Sequence, residues 1–539
     1  MLPAVRFYWF ITLVALPFSL TWLLVVTSGS IGLADLADHP FQLILFLLFL
    51  GYALLGFWEM KRAPNNLRRN YPVLANIRYL LEIIRPEIQQ YFIANNTEER
   101  PFNREQRNIV YRRAKGLNDT LPFGTQQDIL EQGYRSLHHS INATTVEKEH
   151  SRVTVGGPQC SKPYSASRLN ISGMSFGALS ANAIAALNRG AALGAFAHNT
   201  GEGSISPYHL AHGADLIWQL GTGYFGCRTA DGRLDDREFA RKSALDVVKM
   251  IEIKISQGAK PSHGGVLPGA KVTEEIARIR TVEVGRTIVS PARHPEFSTP
   301  RELMHFIARL RKLSHGKPIG FKLCIGRKSE FMSIVKAMRE TGILPDFVTV
   351  DGAEGGTGAA PVEFSNRLGT PCLEATFFVH QVLVGAGLRD RISIISAGKT
   401  ATGYDMLEKI AAGADMVNAA RSMMLALGCV QSLSCNTNHC PTGVATTDPR
   451  RGRAIDIQAK GRRVCNYHHN TMHAFLELCG ALGYQNPSQL KASDIVCRHD
   501  AGYRYFNEIH ETLQPNQLLD SSAPISYLEH WTRADTDRF

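Results

Sequence analysis

From residue 169 onward the sequence repeats one local pattern: a short apolar run, a glycine-rich or polar turn, then a stretch with helical spacing. Eight runs read as strands, at 169–172, 195–198, 216–219, 250–255, 319–324, 347–350, 392–396 and 416–418. Helical patterns follow most of them, at 181–191, 329–340, 372–384, 404–412 and 421–427. Eight strands alternating with helices over about 250 residues predict the α/β class and a closed (β/α)8 TIM barrel. A doubly wound open sheet is the alternative.

Barrel sites lie at the carboxyl ends of the strands, so the residues just past each run matter most. They are rich in glycine, as in Ser-Gly-Met-Ser-Phe-Gly (172–177), His-Asn-Thr-Gly-Glu-Gly (198–203) and Asp-Gly-Ala-Glu-Gly-Gly-Thr-Gly (351–358). Glycine lets a planar ligand or a phosphate approach the backbone. The loops after strands seven and eight, Ser-Ala-Gly-Lys-Thr (396–400) and Ala-Ala-Arg (419–421), are small-residue turns into helix starts, where a phosphate is expected. Two glycine motifs are decoys. Gly-Thr-Gly-Tyr-Phe-Gly (221–226) is followed by no helix, and Gly398-Lys399-Thr400 has Ser393 where a phosphate loop needs its first glycine.

Past the eighth strand, Cys429, Cys435 and Cys440 fall within twelve residues, and Pro441 follows. Three thiolates on one loop can hold a soft metal or an iron–sulfur cluster. Three buried free thiols are the alternative. The other seven cysteines are scattered, which fits a reducing compartment and not a disulfide framework.

The amino terminus carries a separate message. Residues 7–27 and 41–58 contain no charge, and each is near the ~20 residues a helix needs to cross a bilayer. The turn between them, 28–40, holds Asp35 and Asp38 but no Lys or Arg. Arg6 precedes the first span, and Lys61, Arg62, Arg68 and Arg69 follow the second. This bias predicts a transmembrane hairpin with both termini and the catalytic domain cytoplasmic. A cleaved signal peptide is the alternative for the first span. Twelve Lys and Arg against five Glu between residues 61 and 115 fit a segment facing anionic lipid. Nucleic acid would also explain them, but no such partner is expected.

The expected organisation is a membrane anchor (1–62), a basic linker and leader (63–150), the barrel with its cysteine loop (151–450), and a helical extension (451–539). A surface helix is expected at 71–84, limited by Pro86. Residues 95–150 read as mostly irregular, and 464–482 as a helix packed outside the barrel. Residues 521–539 carry no legible signal.

Several longer motifs resemble the flavin-binding synthase domain of glutamate synthase, and in particular its stand-alone, membrane-anchored forms. They are Met-Ser-Phe-Gly-Ala-Leu-Ser (174–180), Asn-Thr-Gly-Glu-Gly (199–203), Gln-Gly-Ala-Lys-Pro (257–261), Leu-Pro-Gly (267–269), Asp-Gly-x-x-Gly-Gly-Thr-Gly (351–358), Leu-Arg-Asp-Arg (388–391) and Cys-Pro-Thr-Gly-Val-Ala-Thr (440–446). The resemblance implies FMN in the barrel mouth, a 3Fe–4S cluster on Cys429, Cys435 and Cys440, and reduction of 2-iminoglutarate, formed from 2-oxoglutarate and ammonia, to L-glutamate. It further implies that Met174, Ser175, Lys254, Lys322, Gly352, Gly398 and Ala420 bind FMN, and that Lys260 and Arg280 bind the oxo-acid. A lysine beside the flavin would stabilise its reduced, negative form, and a dicarboxylate needs cationic clamps.

The chain departs from that pattern at two places. Val266 stands where a glutamine is usual, and His263 interrupts a glycine-rich turn, so a different oxo-acid or a quinone is the competing substrate. With no amino-terminal nucleophilic cysteine and no nicotinamide-binding unit in the sequence, ammonia and electrons are expected from elsewhere. The expected donors are ferredoxin, a reductase subunit or a membrane quinone.

Overall fold

Eight parallel strands close into a barrel: β1 Leu169–Ile171, β2 His198–Asn199, β3 Leu216–Leu220, β4 Val248–Lys254, β5 Ile319–Cys324, β6 Phe347–Asp351, β7 Ser393–Ala397 and β8 Met416–Ala419. All eight expected strands are present, and pairing of Val417 with Leu169 closes the sheet, which excludes an open doubly wound arrangement. The computed structural model describes residues 3–27, 38–500, 502–520 and 522–539. The turn expected at 28–40, including Asp35, therefore lies largely outside the described residues.

The amino-terminal end of the barrel is plugged. Ile217, Met250, Phe347, Ile395 and Met416 form a buried cluster, sealed by Val155, Tyr164 and Ala166 from an antiparallel ribbon, Arg152–Val155 with Tyr164–Ser167. Only the carboxyl end is left to carry a site. The helices outside the barrel follow from amphipathic spacing. Ala181–Gly194, for example, is capped by Ser180 and buries Ile184, Leu187 and Ala191.

The chain divides into two compact units, Met1–Glu99 and Arg100–Phe539. In the first, helices Pro3–Val26 and Pro40–Arg62 form an antiparallel pair. The Tyr8 hydroxyl donates to the Ala53 carbonyl at 2.5 Å, and Trp22 meets Phe41 edge to face. Gly56 admits the Tyr8 ring, which a Cβ there would displace. Both helices have mean hydropathy 2.1 and are long enough to cross a membrane.

Two expectations need correction, and two stretches gain detail. Pro86 does not limit the surface helix, which runs Leu74–Ile88 and continues through a wide turn at Gln89–Ile93. Proline lacks an N–H, but the chain past it keeps helical bonding, and the Gln89 N–H at the helix end donates to the Arg85 and Pro86 carbonyls. The leader is mostly irregular, as expected, but it holds one helix the sequence did not signal. Arg104–Lys115 is a helix started by an Asn103–Gln106 capping box and stopped by left-handed Gly116. The carboxyl extension is not purely helical, because Ile495–His499 and Gly502–Tyr505 form a sheet with Arg135–Leu137. The tail after residue 520 contains a helix, Ile525–Arg533.

The long helix of that extension, Ile457–Ala481, buries Val464, Tyr467, Met472 and Phe475. Gly190 on the facing helix makes the close approach possible, since a Cβ there would sit 2.6 Å from the Val464 side chain.

Candidate active site

A cavity of about 300 Å³ opens at the carboxyl end of the barrel. Its walls come from the strand ends: Met174 and Ser175 after β1, Glu202 after β2, Gln219 on β3, Lys254 closing β4, Lys322 on β5, Asp351 closing β6, Gly398 after β7, and Asn418 and Ala420 around β8. Cys429, Cys435 and Cys440 line the same cavity. Two groups of residues that are far apart in sequence thus share one enclosure.

Charge alternates around this wall. Lys254 Nζ lies 3.0 Å from Glu202 Oε1, and Lys322 Nζ lies 3.1 Å from Asp351 Oδ2. Burial alone would neutralise Lys322, but Asp351 and the buried Glu252 hold its pKa above the ordinary value. Glu252 in turn accepts from the Asn199 and Gln219 amides at 2.8 and 2.7 Å and from the Thr349 hydroxyl at 2.6 Å. The Met174 backbone is fixed from both sides. Its N–H donates to the Asn199 carbonyl, and its carbonyl accepts from His209 Nε2 at 2.9 Å. Burial lowers the His209 pKa to about 4, so the ring is neutral at pH 7. Its Nδ1 accepts from the Ser206 N–H, which fixes the tautomer.

Two expected site residues do not line the cavity. Lys260 donates to the Ala359 carbonyl at 2.9 Å, and Arg280 donates to the Phe176 carbonyl at 2.8 Å while stacking over Phe225. Both remain coupled to the site through Glu202, whose carboxyl burial would raise but Lys254, Lys260 and Arg280 hold below the usual value. Burial lowers the Lys260 pKa to about 8 and that of Arg280 to about 10. Gly352 is also set back, against Cys372 and Glu354, where no side chain would fit.

The cysteine loop is held independently of any bound group. Lys271 Nζ donates to the carbonyls of Cys435 and Ala445 at 2.8 and 3.2 Å, the Tyr111 hydroxyl donates to the Cys429 carbonyl at 2.7 Å, and the Gln431 amide bonds both backbone groups of Phe102. Burial and the neighbouring thiols push the Cys429 thiol up to about 11. Burial opposes Cys440 as well, but the Thr442 hydroxyl and the backbone N–H groups of Ala445, Thr442 and Val444 hold its thiol below the ordinary value. Cys465 packs beside Gly194 and does not line the cavity.

Residues 97–485 match the family described as a conserved region in glutamate synthase. The chain belongs to the glutamate synthase family. It is 38% identical over 484 residues to the glutamate synthase large subunit-like protein YerD of Bacillus subtilis, covering 82% of this chain and 92% of that protein. It is 34% identical to the archaeal-type glutamate synthase [NADPH] of Thermotoga maritima over 327 residues, and to the archaeal glutamate synthase [NADPH] of Methanocaldococcus jannaschii over 324. The matches cover 60% of this chain, and 61% and 60% of those proteins. As a member of this family the chain is an oxidoreductase.

For a family member, two tests of the site can be made on its own residues. Asn418 is buried in the cavity wall with both amide atoms unpartnered, and Gln257 Nε2 is likewise unpartnered. Buried polar groups are normally hydrogen-bonded, so these fit a polar-edged ligand. Lys399 and Arg421 also line the cavity, both over the Phe102 ring at 5.5 and 5.1 Å, and they offer cations to a phosphate. Among the described residues, no three His, Cys, Asp or Glu side chains stand close enough to hold a single metal ion. Cys429, Cys435 and Cys440 line one cavity, and thiolates are the donors that both soft metals and iron–sulfur clusters take.

The sequence did not single out Glu202, Lys271, Phe102 or Arg421 as site residues. Glu202 and Arg421 lay within strand-end motifs already marked. Phe102 and Lys271 carried no local signal, since only the fold brings the leader and the 269–271 turn to the cysteine loop.

Proposed function

We propose that the chain is an FMN- and iron–sulfur-dependent oxidoreductase that reduces 2-iminoglutarate, formed from 2-oxoglutarate and ammonia, to L-glutamate. The observation that carries this reading is the single cavity walled by Lys254, Lys322 and the three cysteines. FMN held there would supply hydride to the imine carbon, and a cluster on the cysteines would supply electrons one at a time. Met174, Ser175, Gly398, Asn418 and Ala420 would hold the flavin, with Lys399 and Arg421 at its phosphate.

The chain's own groups set the electrostatics. Lys322, kept charged by Asp351 and Glu252, places fixed positive charge where electron density accumulates, in a site with few competing water dipoles. Met424, Leu425 and Val444 line the same cavity and give it apolar surface beside the polar strand ends. The apolar pair Pro3–Val26 and Pro40–Arg62 would anchor the enzyme in a membrane as a two-span hairpin, with the barrel on the cytoplasmic side. Ferredoxin, a reductase subunit or a quinone would deliver electrons.

The test is anaerobic. Purified protein should show flavin absorbance and an iron–sulfur EPR signal, and should form glutamate from 2-oxoglutarate, ammonia and a reductant. Colourless protein would overturn the cofactor assignment. A second reading, with another oxo-acid or a quinone as oxidant, is favoured by Lys260 and Arg280 donating to backbone carbonyls behind the wall and by apolar Val266. Reoxidation of the reduced protein by a panel of oxo-acids and quinones separates the two.

A further inference from the structure

We propose that the helix Leu74–Ile88, with the turn that follows it, lies in the plane of a membrane surface as a third lipid-contacting element. The proposal rests on the membrane-anchor reading above. At 3.6 residues per turn, Leu74, Ile77, Leu80, Leu81, Ile84 and Ile88 fall on one arc of about 120°. Arg78 and Arg85 border that arc, with Glu82 beyond them. Among the described residues of its own unit the apolar face is largely uncovered: Ile77, Leu80 and Leu81 are each more than half exposed, and Phe92 within the wide turn is 84% exposed. An uncovered apolar stripe about 22 Å long needs a cover in water.

What covers it follows from where it starts. Glu59, 1% exposed near the end of Pro40–Arg62, accepts from the Val73 N–H at 2.6 Å and from the Asn76 amide at 2.7 Å. Arg68 approaches Glu59 at 3.9 Å and stacks over Tyr79. The helix is therefore tied to the end of the second apolar span, the level at which Lys61 and Arg62 mark the headgroups. An amphipathic helix starting there, with Arg78 and Arg85 along one border of its apolar face and Glu87 on the other, matches the chemistry of a bilayer interface.

Benzoylphenylalanine placed singly at Ile84, Phe92, Glu82 and Leu47 of the full chain, in vesicles of phosphatidylcholine and phosphatidylglycerol, tests this by photocrosslinking and mass spectrometry. Phospholipid adducts are expected at Ile84 and Phe92 at a yield like that of Leu47 in the second span, and about tenfold above Glu82. Adducts from Ile84 to residues 100–539 or to a second copy would overturn the proposal, as would unlabelled Ile84 beside labelled Leu47. If Leu47 also fails to label lipid, the anchor reading itself falls, and this proposal with it.

Discussion

Glu202 and Lys254 form an ion pair of 3.0 Å inside the barrel mouth, with side chains only 16% and 11% exposed. Lys260 and Arg280 act on the same carboxylate from behind the wall. One anion thus offsets three cations, and its removal is the most disruptive single change available at the site.

Glu202→Gln is expected to destabilise the protein by about 3–5 kcal/mol, because it leaves buried cations uncompensated. Adding Lys254→Met should recover part of the loss, and urea denaturation measures both. The folded pKa of Glu202 lies below its ordinary 4.5, so the carboxylate's contribution is present above that value and is lost as pH falls through the folded value. The gap between wild type and variant should therefore narrow in acid.

Cys435→Ser should abolish the iron–sulfur EPR signal and lower bound iron, while flavin absorbance stays. Cys465→Ser, on the outer helix, should leave both unchanged.

Lys260 titrates near pH 8, below its unfolded 10.5, because burial disfavours the ammonium. Folding is penalised by this group below about 8, and the penalty disappears as pH rises toward 10.5. If Lys260 acts on a dicarboxylate, the KM for 2-oxoglutarate should rise between pH 7 and 9 as the ammonium is lost. A Lys260→Arg variant should flatten that rise.

Phe102→Ala should cost about 3–5 kcal/mol, since a nearly buried ring is replaced by a cavity. Thermal unfolding measures the cost.

Val266→Gln should lower the KM for 2-oxoglutarate about fivefold if the oxo-acid passes this side chain, the value of one added neutral hydrogen bond. No change would favour a different oxidant.

The barrel was legible because each strand is a short apolar run bounded by glycine, and parallel strands buried on both faces need little else. The third run, 216–219, was recognisable despite its Gln219, whose amide is satisfied by Glu252. Cys429, Cys435 and Cys440 could be read as one group because they are close in sequence. Lys271 and Phe102 could not, because they reach that loop from 164 and 329 residues away, as measured to Cys435 and Gln431. Lys260 and Arg280 were read as lining residues, and burial alone could not tell lining from support. The helix at 104–115 was missed because its mostly charged sequence hides the short buried stripe of Val110 and Ala114. Pro86 reads as a helix end in the sequence, but one lost N–H does not end a helix that has other bonds to continue on.

Helix Arg421–Leu427 begins at the barrel mouth and ends two residues before Cys429, whose N–H still bonds back to the Met424 carbonyl. It therefore acts as a ruler between the two halves of the cavity. Inserting one residue would turn everything beyond by about 100° and advance it by about 1.5 Å, enough to aim the first thiol elsewhere while leaving both halves locally intact. On the proposed reading, a length change in this helix would separate the barrel mouth from the cysteines without unfolding either.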